Sequence, residues 1–293
     1  MAATTAIPLA RRERRARTDR ARDVALYAVL VPLSVVFLAP LYWMVSTSLK
    51  TDAQLGLWPP VWVPSPPVWL NYAHAWTSAP FALYTRNTLI ITLGAMAGQL
   101  LSASAVAYGF ARLRFPGRDT LFVVVLATMM LPGVVTLIPT YILFQKLGWL
   151  NTFLPLIVPA YFGAAGGAFY IFLLRQFFRA IPMELSEAAR IDGASNLRIL
   201  LQVVLPLSRP ALATVMIFSF TGNWNEFLAP LIYLTSQDKY TLTIGMQVFM
   251  QQHSTQFQYL MAISFLMSLP IILVFFFAQQ HFVRGIVMSG IKG

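Results

Sequence analysis

The sequence has no cysteine among its 293 residues. That excludes disulfides, thiol nucleophiles and cysteine-bound metals. Charge is scarce as well: 11% of residues are charged, against about 25% in a soluble chain. Histidine occurs three times, as His74, His253 and His281; these lie far apart, so no histidine-based metal site is expected. The only lysines are Lys50, Lys146, Lys239 and Lys292, and none follows a glycine. The chain therefore lacks the G-x-x-x-x-G-K-[ST] loop that cradles nucleotide phosphates. With no cysteine, no paired histidines and no pair of carboxylates in its apolar runs, it offers no catalytic constellation, and no enzyme activity and no cofactor are expected on it.

What is present is apolar surface. Hydrophobic residues make up 58% of the chain, above the about 45–50% of globular proteins. Six stretches reach the roughly 20 residues that cross a bilayer as helix: 24–46, 87–110, 119–141, 153–175, 209–232 and 258–281. The expected fold is an all-α integral membrane domain of six spans over 24–284, preceded by a basic tail at 1–23 and followed by a short tail at 285–293. The run after the arginine-rich N-terminus is longer than the about 7–15 apolar residues of a signal peptide, so it reads as a retained first span.

The positive charges orient the spans. Seven arginines (Arg11, Arg12, Arg14, Arg15, Arg17, Arg20 and Arg22) precede the first one. Alternating the six spans puts 17 of the 21 Lys and Arg on one side and only Lys50, Arg86, Lys146 and Lys239 on the other. The positive-inside rule makes the richer side cytoplasmic. Both termini and the fourth-to-fifth connection are then cytoplasmic, in a multi-pass protein of the cell membrane. The net charge of +11 is explained by membrane flanks, without nucleic acid. On the outer side, "WPPVWVPSPPVW" at 58–69 is too rich in proline for helix, and Trp58, Trp62, Trp69 and Trp76 suit the headgroup level.

Two small-residue series, Gly94-Gly98-Ser102 and Gly163-Gly167, have the four-residue spacing that lets helix backbones approach closely. Pro132, Pro155 and Pro159 fall within predicted spans and permit kinks.

The cytoplasmic stretch "EAARIDGASNLRILLQVVLPLSRPAL", Glu187 to Leu212, breaks the apolar pattern. Pro182 suits the first turn of a helix over Met183–Asp192. Glu184 and Glu187 favour its positive end, and Glu187 can pair with Arg190 at i,i+3. Gly193 is a C-terminal cap. Ser195 can cap a second helix whose stripe is Leu197, Leu200, Leu201 and Val204, ended by Pro206. A DNA-reading helix-turn-helix shares the glycine turn, but one tethered between two spans could hardly reach a major groove.

The spacing carries a resemblance. Glu187-Ala188-Ala189, Gly193 after three residues, then Val203, Val204, Leu205 and Pro206 resemble the EAA loop of binding-protein-dependent ABC importer permeases, with valine at 203 where the pattern has isoleucine. "NWNEFLAPLI" at 223–232, Asn71-Tyr72 and the "RG…GIKG" ending at 284–293 resemble the carbohydrate branch, specifically the shorter, MalG-like subunit of maltose-type importers. The resemblance implies the type I (MetI-like) permease fold. It makes 182–205 the coupling helices that dock on an ATPase, with Glu187, Ala188, Ala189, Asp192, Gly193 and Pro206 as their signature. The implied partners are a homologous MalF-like permease, two ATP-binding-cassette subunits that hold the ATP and magnesium, and an external solute-binding protein. The substrate implied is a sugar or oligosaccharide, with glycerol phosphates and their diesters as a second class. The tail, including Gly290 and Lys292, is expected to reach the ATPase pair; lying against this chain's own inner helix ends is the alternative.

Glu226 is the one acid well inside a predicted span, where a carboxylate costs about 2.5–3.5 kcal/mol. With Asn223 and Asn225 it either lines the substrate pathway or hydrogen-bonds within the protein. A secondary transporter driven by an ion gradient is the rival function; it calls for more intramembrane acids and an internal repeat.

Overall fold

A computed structural model describes residues 9–164, 166–252 and 256–290 of the chain, with side chains described for 22–164, 166–252 and 256–277. Every regular element among the described residues is helical. The chain divides into two compact units, residues 1–73 with 255–265, and residues 74–254 with 266–293.

In the first unit, α1 (Leu9–Ser48) is a 40-residue helix. It passes without a break from the arginine-rich segment into the first span. α2 (Asp52–Leu55) follows, with Thr51 and Gln54 forming a reciprocal capping box that satisfies two otherwise orphaned N–H groups. The 58–69 segment is irregular, as its prolines require. Trp58 is 90% exposed and Trp62 and Trp69 are also exposed, with Trp62 edge-on against Trp43 at 5.3 Å. α3 (Leu70–Thr77) starts on the return. Lys50 is buried with its ammonium 3.8 Å from the centre of the Trp43 ring, and burial lowers its pKa.

In the second unit, α4 (Phe81–Arg112) is the central element. It is covered by the segments corresponding to the fourth and fifth predicted spans. The Gly94-Gly98-Ser102 series meets the expectation of close approach. A Cβ on Gly94 would touch Ile157, one on Gly98 would lie closer than 3.0 Å to the Tyr161 ring, and Ser102 Oγ donates to the Ala160 carbonyl at 3.0 Å. The other pair does not behave that way. Gly163 has φ +79° and closes a 3₁₀ turn, Gly167 begins a helix, and a Cβ on either meets nothing within 4 Å. That pair marks the joint between a 3₁₀ segment and the helix that follows it.

The predicted third span is broken, not merely kinked. α5 (Arg118–Ala127) and a 3₁₀ turn to Met130 meet α6 (Gly133–Lys146) at 97°. Proline pushes its preceding residue out of the helical region, and Leu131 and Pro132 are both extended. The fourth span is α7 (Leu154–Ile157), a 3₁₀ segment to Phe162 and α8 (Gly167–Ala180). Beyond it come α9 (Met183–Ile191), α10 (Asn196–Ile199), a π-helical turn over Leu200–Val204 and α11 (Leu205–Leu207). The predicted fifth span of 209–232 is also corrected. α12 (Arg209–Trp224) stops short, and α13 (Leu228–Tyr233) is a separate helix. α14 (Leu242–Gln252) and α15 (Phe257–Gly290) complete the chain. Among the described residues, four helices are long and apolar enough to cross a membrane, and up to six if each of two bent pairs, 118–146 and 196–224, is one span.

Candidate functional site

The 182–208 connection is built from both of its ends. α9 runs from Met183 to Ile191 with Pro182 before it, where a missing N–H costs nothing. Its end is a Schellman motif: Ala194 N–H donates to the Ala189 carbonyl at 2.9 Å and Gly193 N–H to Arg190 at 3.0 Å. That closure needs a left-handed residue, and Gly193 supplies φ +81°. Ser195 Oγ accepts from Arg198 N–H at 3.3 Å, the predicted N-cap. The expected Glu187–Arg190 pair is absent among the described residues; Arg190 turns to Asn196 Oδ1 at 3.4 Å.

The predicted stripe is half right. Leu200 and Val204 are buried, but Leu197 and Leu201 are exposed, and Ile199 is buried in their place. The π turn explains it. With i→i+5 bonding, residues five apart share a face, so Ile199 aligns with Val204. These three residues join Tyr108, Leu174, Phe178 and Val215 in a core beneath the loop. Pro206 does not end the helix: the run reaches Leu207, and the chain turns by 83° into α12. Of the signature residues, Glu187, Ala188, Asp192, Gly193 and Pro206 are exposed and Ala189 is half-buried.

Arginines lace this end of the unit. Arg112 Nη2, in the last turn of α4, donates to the Ile181 carbonyl at 2.7 Å. Arg175 lies over the Phe122 ring at 3.8 Å, 3.7 Å from Asp119, and its Nε donates to Phe110 at 3.4 Å.

A second polar group lies farther along α4 and α12. Asn223 Nδ2 donates to Gln99 Oε1 at 3.0 Å and to the Ser219 carbonyl at 2.7 Å, and the Ser219 hydroxyl also donates to Gln99 Oε1. Asn225 bonds back to the Thr221 carbonyl at 3.0 Å. Glu226 sits in the break after α12, where its carboxylate accepts from Ala229 N–H at 3.1 Å and favours the positive end of α13. The break thus takes Glu226 out of the helix interior expected for it. Asn223 and Glu226 both line a cavity of about 110 Å³, with Thr88, Ile91, Pro155, Leu156 and Thr241. Small-molecule sites are usually about 300–1,000 Å³, so in this conformation the cavity is no sugar cage. Gln99, Ser219 and Arg112 were not anticipated. A glutamine inside an apolar run is the signal by which the first could have been found.

At the C-terminus, α15 is helical through Gly290, while Lys292, like His253, lies outside the described residues.

Residues 90–288 match the family model for the binding-protein-dependent transport system inner membrane component. The chain is 35% identical over 277 residues to the diacetylchitobiose uptake system permease protein NgcG of Streptomyces coelicolor, covering 94% of this chain and 90% of that protein. It is 32% identical to the sn-glycerol-3-phosphate transport system permease protein UgpE of Yersinia enterocolitica, over 92% and 98% of the two chains. Its fold is similar to that of a bacterial ABC transporter involved in the import of the acidic polysaccharide alginate, with a TM-score of 0.78, 25% identity, and coverage of 91% of this chain and 98% of that one. These likenesses span the chain and decide against the ion-driven rival. The chain belongs to the family of binding-protein-dependent transport system inner membrane components, the multi-pass permease subunits of ABC importers.

Proposed function

We propose that this permease carries a sugar or oligosaccharide inward, with both termini in the cytoplasm and α9 as its contact with a cytoplasmic ATPase. The single observation supporting that contact is the exposure of α9 and the turn after it. Ile191 is 87% exposed, and Leu185, Leu197 and Leu201 are exposed beside Glu187 and Asp192. Apolar side chains grouped among charges at the arginine-rich end of the unit favour a protein partner over lipid. The assembly we infer has a second, MalF-like permease, two ATP-binding-cassette subunits holding ATP and magnesium, and an external binding protein. The relatives' substrates, diacetylchitobiose and sn-glycerol-3-phosphate, support a carbohydrate first and a glycerol phosphate or its diester second. We assign the tail, including Gly290 and Lys292, to the ATPase side as well.

The test is uptake by proteoliposomes holding the complete complex, its binding protein and ATP, offered chitooligosaccharides and glycerol 3-phosphate in turn. ATP-dependent uptake of an oligosaccharide, and none by the purified chain alone, is expected. Transport by the chain alone, or uptake of glycerol 3-phosphate only, would overturn the assembly or the substrate class respectively.

A further inference from the structure

We infer that Arg112 is a positioning residue that makes α4 move with α9, so that docking at the cytoplasmic face reaches the polar group around Asn223. This inference rests on the ATPase-contact reading of α9.

Arg112 is 6% exposed, yet among the described residues it has no carboxylate partner. Breaking up a buried cation's contacts is costly, and burying a cation without a counter-charge is costlier still. Its contacts explain where it is held. Nη2 donates to the Ile181 carbonyl at 2.7 Å and Nη1 lies 3.1 Å from the Met183 sulfur. Ile181 is two residues before α9 and Met183 is its first residue. Arg112 therefore grips the root of α9 from the end of α4, and the negative end of α4's dipole suits its charge.

The rest of that contact is loosely bonded. Among the described residues, Tyr108 OH, Arg112 Nε and Ser186 Oγ are buried without a hydrogen-bond partner. Tyr108 is one turn from Arg112 on the same face of α4, and Ser186 is one turn into α9. Buried polar groups are normally paired. One strong link among unpaired groups is the construction of a pivot: α9 can tilt about Arg112 with no hydrogen bond of Tyr108 OH or Ser186 Oγ to break.

The other end of the link is on the same rigid helix. Gln99 is 13 residues from Arg112 along α4, about 20 Å at 1.5 Å per residue, and it receives Asn223 and Ser219 of α12. The route from α9 through Arg112 and α4 to Gln99 and Asn223 is continuous in hydrogen bonds and one unbroken helix, the kind of physical network along which coupling travels.

The test uses the assembled transporter in proteoliposomes, comparing uptake with ATP hydrolysed. Because the chain has no cysteine, spin labels on Glu184→Cys and Arg114→Cys report the separation of α9 from the end of α4. Arg112→Met should assemble, hydrolyse ATP, and lose about tenfold in uptake per ATP, the worth of a charged hydrogen bond, with a broadened label separation. Arg112→Lys, which keeps a donor, should recover most of both. Tyr108→Phe changes the same buried region without touching the link and should behave as the parent. Parental coupling and separation in Arg112→Met, or equal losses in Arg112→Met and Tyr108→Phe, would overturn the inference. If Arg112→Met does not reach the membrane, Arg112→Gln is read in its place with the same outcomes. Glu187→Arg reads the underlying assignment: parental stimulation there overturns the ATPase contact itself, whereas loss there with parental coupling in Arg112→Met overturns only the link.

Discussion

Asn71 donates its carboxamide to the Ser48 carbonyl at 2.9 Å, and equally to Lys50 at 2.9 Å. Ser48 is the last residue of α1, whose final carbonyls have no partner within the helix. Tyr72 adds a hydroxyl contact to Ser48 Oγ at 2.7 Å, and Val68 N–H donates to Leu49 at 2.9 Å. The Asn71-Tyr72 pair thus ties down both ends of the tryptophan- and proline-rich segment. Asn71→Ala should cost about 1–3 kcal/mol through the stranded buried carbonyls. Asn71→Asp should cost more, since an ionised carboxylate only accepts. Thermal unfolding in detergent and protease cleavage within 56–69 measure both; unchanged values would show the lock to be dispensable.

Gly98 makes a sharper prediction about packing. Any Cβ there would be driven into the Tyr161 ring, and overpacking typically costs about 1–3 kcal/mol. Gly98→Ala should lower the melting temperature and the amount of protein in the membrane, and adding Tyr161→Leu should restore both. Failure of the second change to rescue the first would place the cost elsewhere.

At Gly193 space and conformation separate. A Cβ would meet nothing within 4 Å among the described residues, but φ is +81°. A left-handed residue costs roughly 1–2 kcal/mol for anything but glycine, and least for asparagine. Gly193→Asn should therefore keep most uptake. Gly193→Leu should abolish uptake while the protein still reaches the membrane, because it disturbs the turn and crowds the proposed docking face. Normal uptake in Gly193→Leu would sink the docking assignment.

Asn223 and Glu226 were joined in one functional group by the sequence, and they should come apart under mutation. Asn223→Ala removes one of the donors to Gln99 Oε1 and should cost stability, about 0.5–1.5 kcal/mol for the lost hydrogen bond, along with uptake. Glu226→Gln keeps an acceptor for the Ala229 N–H and should leave stability nearly unchanged. If Glu226→Gln raises the substrate concentration for half-maximal uptake without changing the melting temperature, the carboxylate faces the pathway; if neither moves, its work is to start α13.

The sequence by itself determined the features that depend on neighbours in the chain. Long apolar runs give membrane helices whatever surrounds them. The proline, the alanines and Gly193 set α9 to within a residue, because caps and left-handed turns are local chemistry. Ser195 found its N–H three residues on for the same reason. Tertiary structure decided what crosses the chain. Gln99 and Asn223 are 124 positions apart, and no periodicity in either segment brings them together. The Gly94 and Gly163 series look alike in one dimension, yet only the first is packed against a neighbouring segment, at Ile157 and Tyr161. The π turn at 200–204 re-aimed a stripe that α-helical spacing had placed on Leu197 and Leu201, since the core offered its space to Ile199 instead. The chain also broke at Pro132 and after Trp224, where an apolar run had read as continuous. Hydrophobicity counts residues that prefer to leave water, but not where a backbone can be bent and still have its hydrogen bonds met by neighbours.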